Sequence, residues 1–320
     1  MAFPHGILIM RKFFFLFIVA LVRDGSPPAK LTMKTKRGIP VSYKISGFSD
    51  EIASDIQTQF TVLRRLGISH FEPRGINGKN ISTLTDDELS SLLAAMKQHG
   101  IAASSIGSPV GKVKLSEDFG EHFAMFRRVV DIAERLGARY IRMFSFYHDG
   151  DAPWTHGERT AVIARLSEMI AYAREHDVIL LHENEKDVYG DTVERCVDLQ
   201  KELSCPHFRA VFDPANFVQC GEDPLAAYKA MRPYIAYMHI KDARADDGRV
   251  VPAGQGDGKI PEILSDLYAG GYDGFLSLEP HLGSFEGLAD LELSDEMLKL
   301  PKGGEGTFTL AYQSLQSILP

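Results

Sequence analysis

Leu180-Leu181-His182-Glu183 opens a stretch, running to Glu279, in which four short apolar runs each end in a side chain able to hold a metal or move a proton. The other three runs are Ala210-Val211-Phe212-Asp213, Ala236-Tyr237-Met238-His239 and Phe275-Leu276-Ser277-Leu278-Glu279. Apolar runs of this length, bounded by polar and turn residues, read as buried parallel strands. As neighbouring strands of one parallel barrel, their C-terminal ends share a rim, and the four side chains converge there. Three oxygen donors and one nitrogen donor suit a divalent cation, Mn2+ foremost, with Mg2+, Co2+ or Zn2+ as alternatives.

Working outward, short apolar runs alternate with helical patterns from Ser42 onward, which is the signature of a βαβ series. Residues 43–48 read as the first strand. Ser49 is expected to cap the first helix, with Asp50 and Glu51 in its first turn, Ile52, Ile56, Phe60 and Leu63 on one face, and Gly67 at its end. His70-Phe71-Glu72 is a second strand, and Thr85 with Glu88 makes a capping box for a helix ending near Gly100. Residues 101–106 form a third strand. A Phe119, Phe123, Phe126, Val130, Ala133 stripe packs the third helix against the sheet and stops at Gly137. Tyr140 to Phe144 is the fourth strand. Helices follow over 157–176 and 191–203, with shorter ones at 226–231 and 261–269 and a closing one at 308–318. The count is eight strands and eight helices, which predicts an α/β chain folded as a single (β/α)8 TIM barrel over residues 42–320.

Residues 1–41 read as a leader. Met10-Arg11-Lys12 followed by Phe13 to Val22 resembles the basic and apolar parts of a signal peptide, and Met33 offers an alternative start. An apolar run of about ten residues is too short to span a bilayer, so no membrane partner is expected. The formal net charge of −8 argues against a nucleic-acid binder held by phosphate contacts, and 44% hydrophobic residues suffice for a large core. Cys196, Cys205 and Cys220 are odd in number and lack CxxC spacing, which points to reduced thiols and a cytoplasmic protein; the signal-like segment keeps secretion open.

The four contexts His182-Glu183-Asn184-Glu185, Phe212-Asp213-Pro214-Ala215-Asn216-Phe217, His239-Ile240-Lys241-Asp242 and Leu278-Glu279-Pro280-His281 resemble the sugar isomerase/epimerase superfamily of xylose isomerase-like TIM barrels. The resemblance runs from Tyr43 to His281 and includes ketose 3-epimerases of that superfamily. It implies a metal held by Glu183, Asp213, His239 and Glu279, with Glu183 and Glu279 also catalytic. One glutamate removes the proton next to a carbonyl, and the other returns it to the cis-enediolate from the far side. It implies dimers or tetramers too. The chain departs from that pattern at three places. Asn216 stands three residues after the strand-six aspartate, where a sugar-binding histidine is usual. Tyr189 falls near the position of a substrate-binding glutamate, and Arg244 loosely matches a substrate arginine.

Further substrate contacts are expected from Glu72 with its neighbour Arg74, from Arg142 and His148, and from Lys241, which shares the face of His239. Lys112 is a candidate anion ligand. The backbone of Gly254-Gln255-Gly256-Asp257-Gly258 is a candidate phosphate cradle. His182 points to the other strand face and reads as a satisfied core histidine.

The leading expectation is therefore a divalent-metal-dependent sugar isomerase or epimerase acting on a small sugar or sugar derivative. The alternative ends the same proton abstraction in elimination: a lyase or dehydratase on an oxidised sugar, such as a 3-keto-glycoside or an inosose. An apurinic-endonuclease-like barrel would need more metal-binding histidines and a basic groove, which the acidic balance opposes. A non-catalytic sugar-binding barrel would keep the pocket without turnover.

Overall fold

A computed structural model describes residues 33–34, 40–41, 43–150, 152–282 and 304–320. It separates into two units, Met1–Val41 and Ser42–Pro320. In the first, Met33–Lys34 pairs antiparallel with Pro40–Val41. The signal-like segment at 10–22 lies outside the described residues, as does most of the long loop expected after Glu279.

The second unit is the expected barrel. Its strands are β1 (Lys44–Gly47), β2 (His70–Phe71), β3 (Ala102–Ala103), β4 (Tyr140–Met143), β5 (Ile179–Glu183), β6 (Phe208–Phe212), β7 (Ile235–Ile240) and β8 (Phe275–Leu278). Parallel pairing joins β4, β5, β6, β7, β8 and β1 in that order, and β2 pairs with β3. Isolated backbone bonds make the two remaining seams. Glu72 N–H donates to the Gly47 carbonyl at 2.9 Å; at the other seam Ile106 donates to Tyr140 and accepts from Arg142, both at 2.9 Å. The sheet thus closes on itself in sequence order, and every strand delivers its C-terminal end to one rim. Strand three was expected over 101–106. Ladder pairing covers only Ala102–Ala103, because the chain past Ala103 bends to make the Ile106–Ile141 bridge.

The surrounding helices are α1 (Ile56–Arg65), α2 (Asp86–His99), α3 (Phe119–Leu136), α4 (His156–Glu175), α5 (Val193–Leu203), α6 (Pro214–Gln219), α7 (Pro224–Met231), α8 (Ile260–Ala269) and α9 (Gly304–Ile318). Their ends follow local chemistry. Thr85 and Glu88 form the reciprocal capping box at the start of α2, and Gly100 closes that helix in the left-handed conformation at φ 62°. Thr155 and Glu158 repeat the box on α4. Each cap is worth about 1 kcal/mol. In α3, Phe126, Val130 and Ala133 are fully buried, as the stripe predicted.

Two starts differ from the sequence reading. The first helix begins not at Ser49 but after Asp55, whose carboxylate accepts the Thr58 N–H; Ser49–Glu51 is a single 3-10 turn on the rim. The extra helix α6 follows β6 directly, capped by Asp213 with Pro214 in its first turn. Among the described residues, no helix is long and apolar enough to cross a membrane.

Candidate metal centre

Strand alternation decides which side chains enter the barrel. Leu181, Val211 and Tyr237 form a buried interior layer, with Ile179 and Phe275 packed against it. One further step of two along each strand gives Glu183, Asp213 and His239, and Ser277 leads to Glu279 in the same way. All four terminal residues are buried, and one ligand atom from each lies within 4.8 Å of the others. His239 Nδ1 stands 2.9 Å from Glu183 Oε1 and 3.2 Å from Glu279 Oε2.

Cations surround these carboxylates. Lys241 Nζ is 2.7 Å from Asp213 Oδ2 and 3.5 Å from Glu279 Oε2. Arg142 Nη1 lies 3.3 Å from Glu183 Oε2 and 3.9 Å from Glu279 Oε1. Arg74 Nη1 and His281 Nε2 approach the same Glu279 oxygen, at 3.5 and 3.2 Å. Both guanidiniums also rest on Phe48, 4.4 Å from the ring centre for Arg74 and 4.9 Å for Arg142.

The electrostatics are those of a crowded, dry site. Burial alone would raise the Glu183 carboxyl, but His239 and Arg142 outweigh it and hold it at about 2. Glu279 is likewise pulled well below the carboxylate range against burial, by Lys241 and His239. Burial opposes a charged His239, yet Glu183, Glu72 and Glu279 raise it well above an ordinary imidazole. Asp213 is pulled both ways. Burial, with Glu279 and Glu183, pushes it up to about 6, while the Lys241 ammonium at contact distance works the other way. A proton on His239 and the Lys241 ammonium thus balance charge that a divalent ion would neutralise outright. The donor set fits such an ion: three carboxylates and one imidazole, converging and buried, with Glu279 Oε2 and Asp213 Oδ2 lacking a well-aligned hydrogen-bond partner.

Supporting contacts hold the ligands in place. The Asn216 amide donates to the Asn184 carbonyl at 2.8 Å and toward Glu183 Oε1 at 3.4 Å. Asn184 spans β5 and β6 by bonding both backbone groups of Asp213, at 2.8 and 3.0 Å. Glu72 sits below the ligands in the barrel. Its carboxylate accepts from Ser277 at 2.6 Å and Tyr237 at 3.0 Å and lies 3.4 Å from His239 Nε2. That is the outer carboxylate that commonly orients a metal-binding histidine.

The remaining candidates fall elsewhere. His148 Nε2 is 3.1 Å from Glu158, and its ring meets Trp154 edge-on at 4.7 Å. Arg244 is exposed beside the 242–243 and 250–251 hairpin. Tyr189 turns outward and donates to Asp198 at 2.7 Å. Lys112 is paired with Glu185 at 2.8 Å. The glycine-rich segment already cradles an anion of its own: Gly254, Gly256 and Gly258 donate to the Asp242 carboxylate at 2.8, 3.0 and 2.8 Å. His182 is buried as expected but not satisfied, since neither ring nitrogen has a hydrogen-bond partner among the described residues.

Sequence reading missed the rim residues Asp50, Glu51 and His281. Asp50 holds Arg74 Nε at 2.9 Å, and Glu51 Oε2 accepts the His281 N–H at 2.7 Å. The signal was present, because both acids directly follow the first strand, where barrel function collects. In the linear chain the same two acids read as helix-start anions.

Residues 60–299 match the family described as xylose isomerase-like TIM barrel. The chain is 23% identical over 135 residues to 3-dehydroshikimate dehydratase of Bacillus anthracis, covering 42% of this chain and 48% of the relative. It is 30% identical over 141 residues to 2-epi-5-epi-valiolone 7-phosphate 2-epimerase of an Actinoplanes species, covering 44% and 50%. These matches span about half the length of the curated relatives. Among solved structures, the probable 3-DHS dehydratase involved in petrobactin synthesis from Bacillus anthracis superposes with a TM-score of 0.67 at 18% identity, covering 86% of this chain and 99% of that one.

Proposed function

Because the chain belongs to the xylose isomerase-like TIM barrel family, we propose that it is a divalent-metal-dependent enzyme that moves a proton at a carbon next to a carbonyl of a sugar or sugar-like polyol. The observation that carries this reading is the convergence of Glu183, Asp213, His239 and Glu279 within 4.8 Å at the barrel mouth. A carbon acid beside a carbonyl is too weak to lose its proton to a carboxylate unaided. A divalent ion held by these four residues would supply the Lewis acidity that stabilises negative charge developing on the carbonyl oxygen.

The chain's own groups then divide the work. Glu183 and Glu279 leave different strands, β5 and β8, and flank the same space. One takes the proton and the other returns it from the opposite face, which gives epimerisation or isomerisation. Asn216 and Glu72 keep Glu183 and His239 in orientation. Lys241 and Arg142, held against the ligand carboxylates, donate to substrate oxygens as charge builds there. Burial of the cluster excludes bulk water from the proton in transit.

A second reading ends the same abstraction in loss of water. It is favoured by the dehydratase relative and by the replacement of a titratable histidine with Asn216. The two part at the product, a stereoisomer in one case and an unsaturated compound with released water in the other.

The test is Mn2+-dependent exchange of solvent deuterium into a panel of ketoses, keto-glycosides and dehydroshikimate-like acids. Glu183→Gln and Glu279→Gln should each slow exchange by about 10²-fold or more. Full exchange in both variants would remove the proposed roles.

A further inference from the structure

The fold holds a cavity of about 980 Å³ that none of the four ligands lines. It is at the upper end of the range for small-molecule pockets, roughly 300–1,000 Å³. Its walls are the loops that leave β4 and β5. Tyr147, His148 and Trp154 come from one loop, and Asp187 and Tyr189 from the other. A bridge between Tyr147 and Val188, with a Tyr189 N–H to Phe146 carbonyl bond of 3.0 Å, ties the two loops together, so the space is preformed.

Its chemistry is that of a carbohydrate seat. The half-buried Trp154 ring meets Tyr189 edge-on at 5.1 Å and His148 at 4.7 Å, making an aromatic wall. The charged groups of its lining balance: Lys114, Arg159 and Arg195 stand against Asp187, Asp191 and Glu194, with Arg195 paired to Asp191 and Arg159 to Asp198 at 2.6 Å. Aromatic faces suit the C–H faces of a sugar ring, and matched polar groups suit hydroxyls. An anion would need a lining of net positive charge.

The cavity also stands within reach of the chemistry. The strands that carry its loops hold Arg142 and Glu183, whose side chains are 3.3 Å apart. Asp187 is four steps along the chain from Glu183, at most about 14 Å of extended chain.

We propose that this cavity is a subsite for a second, neutral pyranose ring, linked to the ring that reacts at the metal centre. The substrate is then a disaccharide or glycoside carrying a carbonyl, not a free monosaccharide. This deepens the proton-transfer reading and rests on it for the identity of the reacting ring.

Trp154 is the one tryptophan of the chain, so its fluorescence reports the cavity alone. The full-length, Mn2+-loaded protein is titrated with maltose, cellobiose and trehalose, with glucose as the monosaccharide control. At least one disaccharide should change the emission saturably and bind roughly tenfold or more tighter than glucose. Tyr147→Ala, and independently the cavity-filling Ala152→Phe on the exposed loop, should weaken that binding about tenfold. A flat response to all three disaccharides, or affinity unchanged in both variants, overturns the subsite. Deuterium exchange into a keto-glycoside is scored separately. Exchange without a fluorescence response keeps the proton-transfer reading and removes the subsite; a response without exchange does the reverse.

Discussion

His182 and Glu183 are adjacent in the chain and opposite in fate. Glu183 turns into the barrel and finds His239, Arg142 and Asn216. His182 turns out toward Gly190 and Phe208 and finds no hydrogen-bond partner among the described residues. Burial lowers its pKa from 6.5 to about 4, so the ring is neutral in the folded protein. The unfolded chain therefore binds the extra proton first as the solution is acidified. The contribution of this residue is fully present above pH 6.5 and drains away between 6.5 and about 4. His182→Leu removes both the orphaned nitrogens and the titration. Thermal unfolding should show a gain of about 1–3 kcal/mol at neutral pH and a shallower loss of stability from pH 6.5 to 4. An unchanged pH slope would mean that the ring is not the buried neutral group described here.

At the scale of elements, one aspartate organises each of two rim loops. Asp213 ends β6, caps α6 through the Asn216 N–H at 3.0 Å, and presents its other oxygen to Lys241. The Asp-Pro pair announces that helix start, although the sequence reading passed over it. Asp242 gathers the 254–258 loop. Gly256 has no alternative there, since a Cβ would sit 2.3 Å from Asp242 Oδ1 and 2.6 Å from the Ala243 carbonyl. Because the Asp242 carboxylate fills the cradle, millimolar phosphate should leave amide hydrogen exchange of residues 254–258 unchanged. Asp242→Ala should speed it sharply and cost roughly 2–4 kcal/mol, through the N–H groups it leaves unpaired. Protection of the loop by phosphate in the unaltered protein would restore the phosphate-site reading.

For the whole molecule, the candidate ion would join the ends of β5, β6, β7 and β8, half of the barrel, at one point. Binding to the folded state alone stabilises by about 4 kcal/mol when free metal is about 1,000 times its Kd. For a barrel of this size that is a rise in Tm of roughly 10 °C, readable by calorimetry with and without a chelator. The same protons that balance the metal-free cluster set the pH dependence. His239 is held protonated by its carboxylates, and Asp213 is pushed up to about 6, so an incoming metal must displace protons. The metal-induced rise should therefore be larger at pH 8 than at pH 5.5. We propose residues 42–320 as the unit that carries all of this, in line with the separation of Met1–Val41 from Ser42–Pro320.

The strand count, the capping box of α2 and the inward alternation that ends in Glu183, Asp213, His239 and Glu279 were all legible in the linear chain. Each depends on residues a few positions apart, and the period of a strand or a helix turns such spacing directly into direction. What stood beyond that reading was the choice of partner across the barrel. Glu72 lies 3.4 Å from His239 Nε2, Asn216 turned to Glu183, the glycine loop closed on Asp242, and Asp50 with Glu51 took Arg74. Those pairings join residues far apart in the chain. Only closure of the sheet sets which of several competent polar groups meets which, because a buried charge settles on whatever partner the packing brings within reach.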